Sequence, residues 1–147
     1  MKIETGSRLY SEHFPELAKS LLASPEVAAR ATLLADAVRK ALPNSACALY
    51  SLRPSADGAS WTTLGVSDGI SVVEASIAAA TPLFSPLLDS PHPIVYSASQ
   101  LAREDYAHIH VVRTIRSIGY LPLLREQELA GAFEIVSFGD PDRKSVV

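Results

Sequence analysis

Ser117-Ile118-Gly119-Tyr120-Leu121-Pro122-Leu123-Leu124-Arg125-Glu126-Gln127-Glu128-Leu129-Ala130-Gly131-Ala132-Phe133-Glu134-Ile135-Val136-Ser137-Phe138 sets two apolar runs on either side of a polar connector, Arg125 to Glu128. Such runs, with a short polar link between them, form an antiparallel β-hairpin. Pro122 falls late in the first run and Gly131 early in the second. Along the second strand, alternation puts Ala132, Glu134 and Val136 on one face, and Phe133 and Ile135 on the other. Glu134 is partly buried if helices cover both faces of the sheet, and then needs a partner. A solvent-facing Glu134 is the simpler reading.

Ser24-Pro25-Glu26 marks a helix start further upstream: Ser24 suits the N-cap, Pro25 the first helical position and Glu26 the positive helix end. The helix is expected from about Pro25 to Leu42, where Pro43-Asn44 stops it. Val27, Ala31, Leu34, Val38 and Leu42 form its apolar stripe. A thinner line of Ala29, Leu33 and Ala37 runs beside it, and is either a widening of the core face or a second contact surface for a partner. Before Ser24, residues Phe14 to Leu22 are compatible with a short first helix.

Ala46–Arg53 and Ser60–Val66 are strand-like runs joined by Pro54-Ser55-Ala56-Asp57-Gly58, whose Pro, Asp and Gly supply turn geometry. Val73 to Ala80 is a weak helix candidate. Prolines at 82, 86, 91 and 93 force a segmented connection, with room for one buried turn at Phe84, Leu87 and Leu88. Ile94-Val95-Tyr96 is a short strand, followed by a Ser-rich cap and a polar helical turn from Gln100 to Asp105. Residues 106–115 either continue that helix or form an irregular lid. After Phe138 comes a turn and a stub.

The chain has 147 residues, 48% hydrophobic and 20% charged, which fits one folded domain. A net charge of −3 with no clustered Lys or Arg face disfavours nucleic acid as a partner. Cys47 is the only cysteine, so neither an internal disulfide nor a multi-cysteine metal site can form, and a cytoplasmic location is the default. No run approaches the roughly eighteen apolar residues of a membrane span.

The closing hairpin, with Arg116-Ser117 leading to Pro122-Leu123, a polar turn, then Gly131 and aliphatic residues, resembles that of a GAF domain, a small sensory module of signalling proteins. The whole order from Pro25 to Phe138 is similar to that family. The resemblance implies an α+β fold with a central antiparallel sheet of five or six strands and helices on both faces, related to PAS. It divides the chain into an N-terminal extension at 1–24, a GAF-like domain at 25–138, and at 139–147 the start of a linker or helix to a C-terminally fused output domain. Known specialisations of the family lack their signatures here. The Asn-Lys-Phe-Asp-Glu set of cyclic-nucleotide binders is absent, Cys47 falls in a strand rather than at a bilin attachment position, and one cysteine cannot run a methionine sulfoxide reductase cycle.

Tyr96, Tyr106 and Tyr120 lie in segments that cover the pocket in this family; each offers an apolar face and a hydrogen-bonding tip, or else closes a solid core. His108 and His110 point the same way on a strand and diverge by about 200° on a helix. A metal or haem ligand from this pair competes with a polar lid, which is favoured. Arg113 and Arg116 suit a carboxylate or phosphate on a ligand, or surface pairing with Glu104, Asp105 or Glu134. No nucleophile elbow or phosphate-binding glycine loop occurs, so no enzymatic activity is expected.

The function implied is regulatory, as in bacterial signalling. A small molecule of unknown identity enters between the sheet and residues 73–115, held by Tyr96, Tyr106, His110, Arg113 and Tyr120, and biases the terminal helices of a homodimer. No cofactor is specified. The competing classes are a ligand-free structural or dimerisation module and a haem-bound gas or redox sensor.

Overall fold

The computed structural model describes residues 27–56, 58–74 and 76–139. The expected helix at 14–22, the Ser24-Pro25-Glu26 helix start and the stub beyond Gly139 lie outside these residues. Helix α1 is Val27–Ala41. The strands are β1 (Ser45–Ser55), β2 (Gly58–Val66), β3 (Ser71–Val72), β4 (Ser76–Ala78), β5 (Ile94–Ser97), β6 (Ile109–His110), β7 (Ile115–Arg125) and β8 (Glu128–Phe138). A short helix α2 (Ser85–Asp89) precedes β5, and two 3₁₀ turns, Ala98–Gln100 and Arg103–Tyr106, follow it.

Six strands form one antiparallel sheet in the order β4-β2-β1-β8-β7-β5, while β3 and β6 pair apart from it. The closing hairpin is as the sequence predicts: Arg125 pairs with Glu128, and Glu126 and Gln127 turn the chain with φ of 53° and 70°. Positive φ at both central residues is the geometry whose twist matches that of the flanking strands. The first hairpin, β1–β2, also forms as expected.

Alternation divides the sheet into two dry faces. Cys47, Leu49, Leu121, Leu123, Phe133 and Ile135 meet Ala31, Ala35, Val38 and Leu42 of α1. The opposite face carries Ala48, Tyr50, Trp61, Ile118, Tyr120 and Val136, covered by Phe84, Leu87 and Ile109 from the connecting segments. Leu33 is 72% exposed and Ala37 is exposed beside it, so the second apolar line of α1 is a solvent-facing surface rather than a widening of the core face. The side chain of Ala29 lies outside the described set.

Gly65 explains how closely α1 approaches. A Cβ there would stand 2.6 Å from the Thr32 backbone nitrogen and 2.8 Å from the Ala31 carbonyl carbon, so helix backbone rests directly on β2. Gly131 plays the same part within the sheet, where a Cβ would come 2.5 Å from the Tyr50 carbonyl oxygen.

Two expectations are corrected. The expected helix over Val73–Ala80 is not found among the described residues: Ser76–Ala78 forms edge strand β4 against β2, where Ile77 pairs opposite Trp61 and reaches the core. Within the proline-rich connection Phe84 and Leu87 are buried as expected, but Leu88 is 41% exposed. Residues 106–115 take the irregular alternative, a 3₁₀ turn ending at Tyr106 and then the two-residue β6.

Replacing Gly65 by Ala pushes α1 off the sheet, and such overpacking costs about 1–3 kcal/mol. Urea denaturation of G65A is expected to show a lower midpoint with an unchanged slope; a midpoint equal to that of the parent contradicts the close approach.

Candidate functional site

Glu134 is fully buried on the inner face of β8, which corrects the simpler solvent-facing reading. Its carboxylate collects three hydrogen bonds. Tyr50 donates its hydroxyl to Oε1 at 2.6 Å, Tyr120 donates to Oε2 at 2.5 Å, and His108 Nε2 lies 2.6 Å from Oε2. Tyr120 is the direct cross-strand neighbour of Glu134 on β7, while Tyr50 on β1 pairs with Ala132, two residues along β8. Oxygen–oxygen distances of this length fit short hydroxyl bonds onto a carboxylate.

Phe84 closes this cluster from above. Its ring centroid lies 4.8 Å from Tyr120, 5.2 Å from Trp61, 5.4 Å from Tyr50 and 5.4 Å from His108. The middle of the inner face is therefore filled by the protein's own side chains. Trp61 Nε1 and Thr63 Oγ1 are buried there without hydrogen-bond partners.

Open volume lies at the margin. A cleft of about 270 Å³ is bounded by Ala98, Leu101, Arg103, Tyr106 and residues 110–115 except Val112. Leu101, Tyr106, Val111 and Ile115 form its apolar floor, packed against the inner core. Arg103 and Arg113 both line it, the first over the Tyr106 ring at 5.1 Å and the second over the Phe138 ring at 4.8 Å. Arg113 also donates to Asn44 Oδ1 at 3.4 Å.

Of the five sequence-predicted residues, Tyr106, His110 and Arg113 share this cleft. Tyr120 does not: it is buried in the Glu134 cluster. Tyr96 stands between, its hydroxyl donating to the Leu83 carbonyl at 3.1 Å and its ring edge-on to Tyr120 at 6.2 Å. His108 and His110 part company, the first buried and the second exposed, because His108 precedes the strand. Arg113 has no carboxylate partner among the described residues, contrary to the surface-pairing expectation. No three His, Cys, Asp or Glu side chains converge on a metal position among those residues.

Sequence reasoning missed Arg103 and the role of Glu134. For Glu134 the one signal was a charged residue flanked by Phe133 and Ile135. Its partners come from distant parts of the chain.

Burial first, then the Glu134 charge, then the bond to it push the Tyr50 and Tyr120 phenols well above their ordinary value near 10.0. The Cys47 thiol is likewise raised well above its ordinary value of 9.0, by burial first and Glu134 second. A thiol so placed is a packing group and a poor nucleophile.

No family model and no curated protein sequence matches the chain. Solved structures do. The GAF domain of a phosphoenolpyruvate-protein phosphotransferase from Acinetobacter superimposes with a TM-score of 0.60 at 13% identity, over 99% of this chain and 84% of that one. The equivalent domain from Coxiella burnetii gives 0.58 at 15%, over 88% and 80%. A type II free methionine-R-sulfoxide reductase from Thermoplasma acidophilum gives 0.58 at 11%, over 81% and 82%. The chain thus has the α+β GAF-like fold. No described helix is long and apolar enough to cross a membrane.

Three outcomes follow from the cluster. Glu134→Leu strands three buried donors and costs about 3–5 kcal/mol, the range for breaking a buried charge pair. Tyr120→Phe costs about 1.5–3 kcal/mol, and in the double variant the two losses are less than additive; simple additivity contradicts the bond. Because the folded phenols hold their protons more tightly than the unfolded ones, their stabilisation is complete below pH 10 and is lost as pH rises beyond it. The Cys47 thiol adds a loss of the same sign from near pH 9. Denaturation across pH 8 to 12 is expected to show falling stability, with a shallower fall in Tyr50→Phe/Tyr120→Phe. Finally, a thiol reagent is expected to label Cys47 only as fast as the protein opens; rapid labelling of the folded protein contradicts its burial.

Proposed function

We propose that this domain is a regulatory sensor, not an enzyme, that binds a small molecule in the marginal cleft and passes the signal through the terminal helices of a homodimer to a fused output domain. The observation that carries this reading is the meeting of Tyr106, His110 and Arg113, from the stretch between β5 and β7, around one cleft whose floor is continuous with the core. The GAF domains of similar fold support the regulatory class. The sulfoxide reductase of similar fold does not shift it toward catalysis, since the single thiol here is buried against α1.

A route for the signal is built into the cleft wall. Arg113 touches both Phe138, at the end of β8, and Asn44, in the turn after α1. The neighbouring Thr114 carbonyl accepts the Gly139 amide at 2.9 Å, where the chain leaves the sheet. A ligand that engages Arg113 acts on both exits of the sheet, and shifts them to the extent that it binds one arrangement better than the other. The exposed Leu33 and Ala37 on α1 offer the surface for the second copy.

A second reading, a ligand-free structural or dimerisation module, is favoured by the filling of the inner face with Phe84. A melting screen against a broad metabolite set separates the two, because a ligand raises stability as its concentration grows. A concentration-dependent rise that Tyr106→Ala abolishes is expected; no rise with any compound favours the filled module. Light scattering is expected to give a dimer that Leu33→Arg weakens, and a strictly monomeric full-length protein removes the dimer route.

A further inference from the structure

We infer that the marginal cleft selects a small organic anion, an oxyanion headgroup of the carboxylate or phosphate type on a short apolar body, with Arg103 and Arg113 as its clamp. This rests on the ligand-binding reading of the same cleft and adds the class of ligand to it.

The charge of the lining is one-sided. Arg103, Arg113 and His110 line the cleft, and no Asp or Glu does. That is a local departure in a chain with 16 acidic and 13 basic residues. The two carboxylates nearest in sequence stay out of the lining. Asp105 turns back to accept the Ala102 amide at 2.8 Å, and Glu104 sits exposed on the adjoining 3₁₀ turn. Neither Arg103 nor Arg113 has a carboxylate within ion-pair distance among the described residues.

Both guanidiniums are also braced. Each guanidinium carbon sits over an aromatic ring, Arg103 over Tyr106 and Arg113 over Phe138, and this contact restrains the long side chains. Arg113 spends a single long bond on Asn44 and keeps the rest of its five donors. A planar fork held in this way suits the paired oxygens of a carboxylate or phosphate, and less of its freedom is lost on binding.

The floor sets the other half of the ligand. Leu101, Val111 and Ile115 present aliphatic surface beside the Tyr106 ring, and this surface rewards an apolar body rather than a bare ion. At about 270 Å³ the cleft lies near the lower end of the range for small-molecule sites, so the body is short.

The test uses the full chain, followed by NMR, with four probes: benzoate, phenyl phosphate, inorganic phosphate and neutral benzyl alcohol. Benzoate or phenyl phosphate is expected to move the resonances of Tyr106, His110 and Ile115 and to bind at least about tenfold more tightly than benzyl alcohol, a gap of about 1.4 kcal/mol. Preference between the two aromatic anions tells carboxylate from phosphate. Inorganic phosphate is expected to bind more weakly than phenyl phosphate, because it lacks the body. Arg103→Ala and Arg113→Ala, both changes at exposed side chains, are each expected to weaken the anions about tenfold and leave benzyl alcohol unchanged. Raising salt is expected to act in the same selective way.

Equal binding of benzyl alcohol and benzoate in the cleft overturns the anion inference and leaves the sensor reading standing. Anion binding that both arginine variants retain overturns it as well. If no probe moves the cleft resonances, the inference falls; if the metabolite screen is also silent, the sensor reading falls with it.

Discussion

Everything on the inner side of this sheet is organised around one buried carboxylate. Glu134 draws together Tyr50 from β1, Tyr120 from β7 and His108 from the segment before β6, so a single side chain ties two neighbouring strands and the covering segment to β8. Removing a charge from water costs several kcal/mol, and three short bonds offset that cost rather than add a large surplus. What the cluster supplies is uniqueness. A slip of β7 or β8 by one residue would turn Glu134 or Tyr120 to the opposite face, against the apolar side chains of Leu49 and α1.

The position of the cleft follows from this anchor. With His108 fixed and Phe84 seated among the four rings, the middle of the inner face is filled by side chains, and the cleft opens where the chain runs on from His108 through Val111 to Ile115. That stretch lies over the ends of β8 and α1. A pocket beneath the centre of the sheet would be remote from both exits, whereas this one touches Phe138 and Asn44 through Arg113.

The elements readable from sequence were those with local, repeated signals. Two long apolar runs and a polar link gave β7–β8, turn residues gave β1–β2, and period and punctuation gave α1. Their order resembles that of GAF domains, and the fold class was what that resemblance implied. Shorter elements escaped: β4 has one buried residue in three, too few to show a period, and its strand character comes from pairing with β2. His108 and His110 were separated by a two-residue strand whose start no pattern marks. The candidate site was half legible. Tyr106, His110 and Arg113, singled out by residue type and place, line one cleft, whereas the Tyr120 hydroxyl is bonded to Glu134, 14 residues further along the chain. Arg103 read as part of a polar turn, since only the folded chain brings it to face the same cleft as Arg113.

The decisive observation is of the phenolic protons themselves. Held between Tyr50, Tyr120 and the Glu134 carboxyl group in a dry interior, both hydroxyl protons should appear as separate downfield NMR signals at neutral pH. They should exchange slowly with water and show contacts to the Glu134 side chain and the His108 ring. Hydroxyl protons that exchange at the rate of solvated tyrosine, with no such contacts, would mean that the carboxylate is not where the sheet is tied.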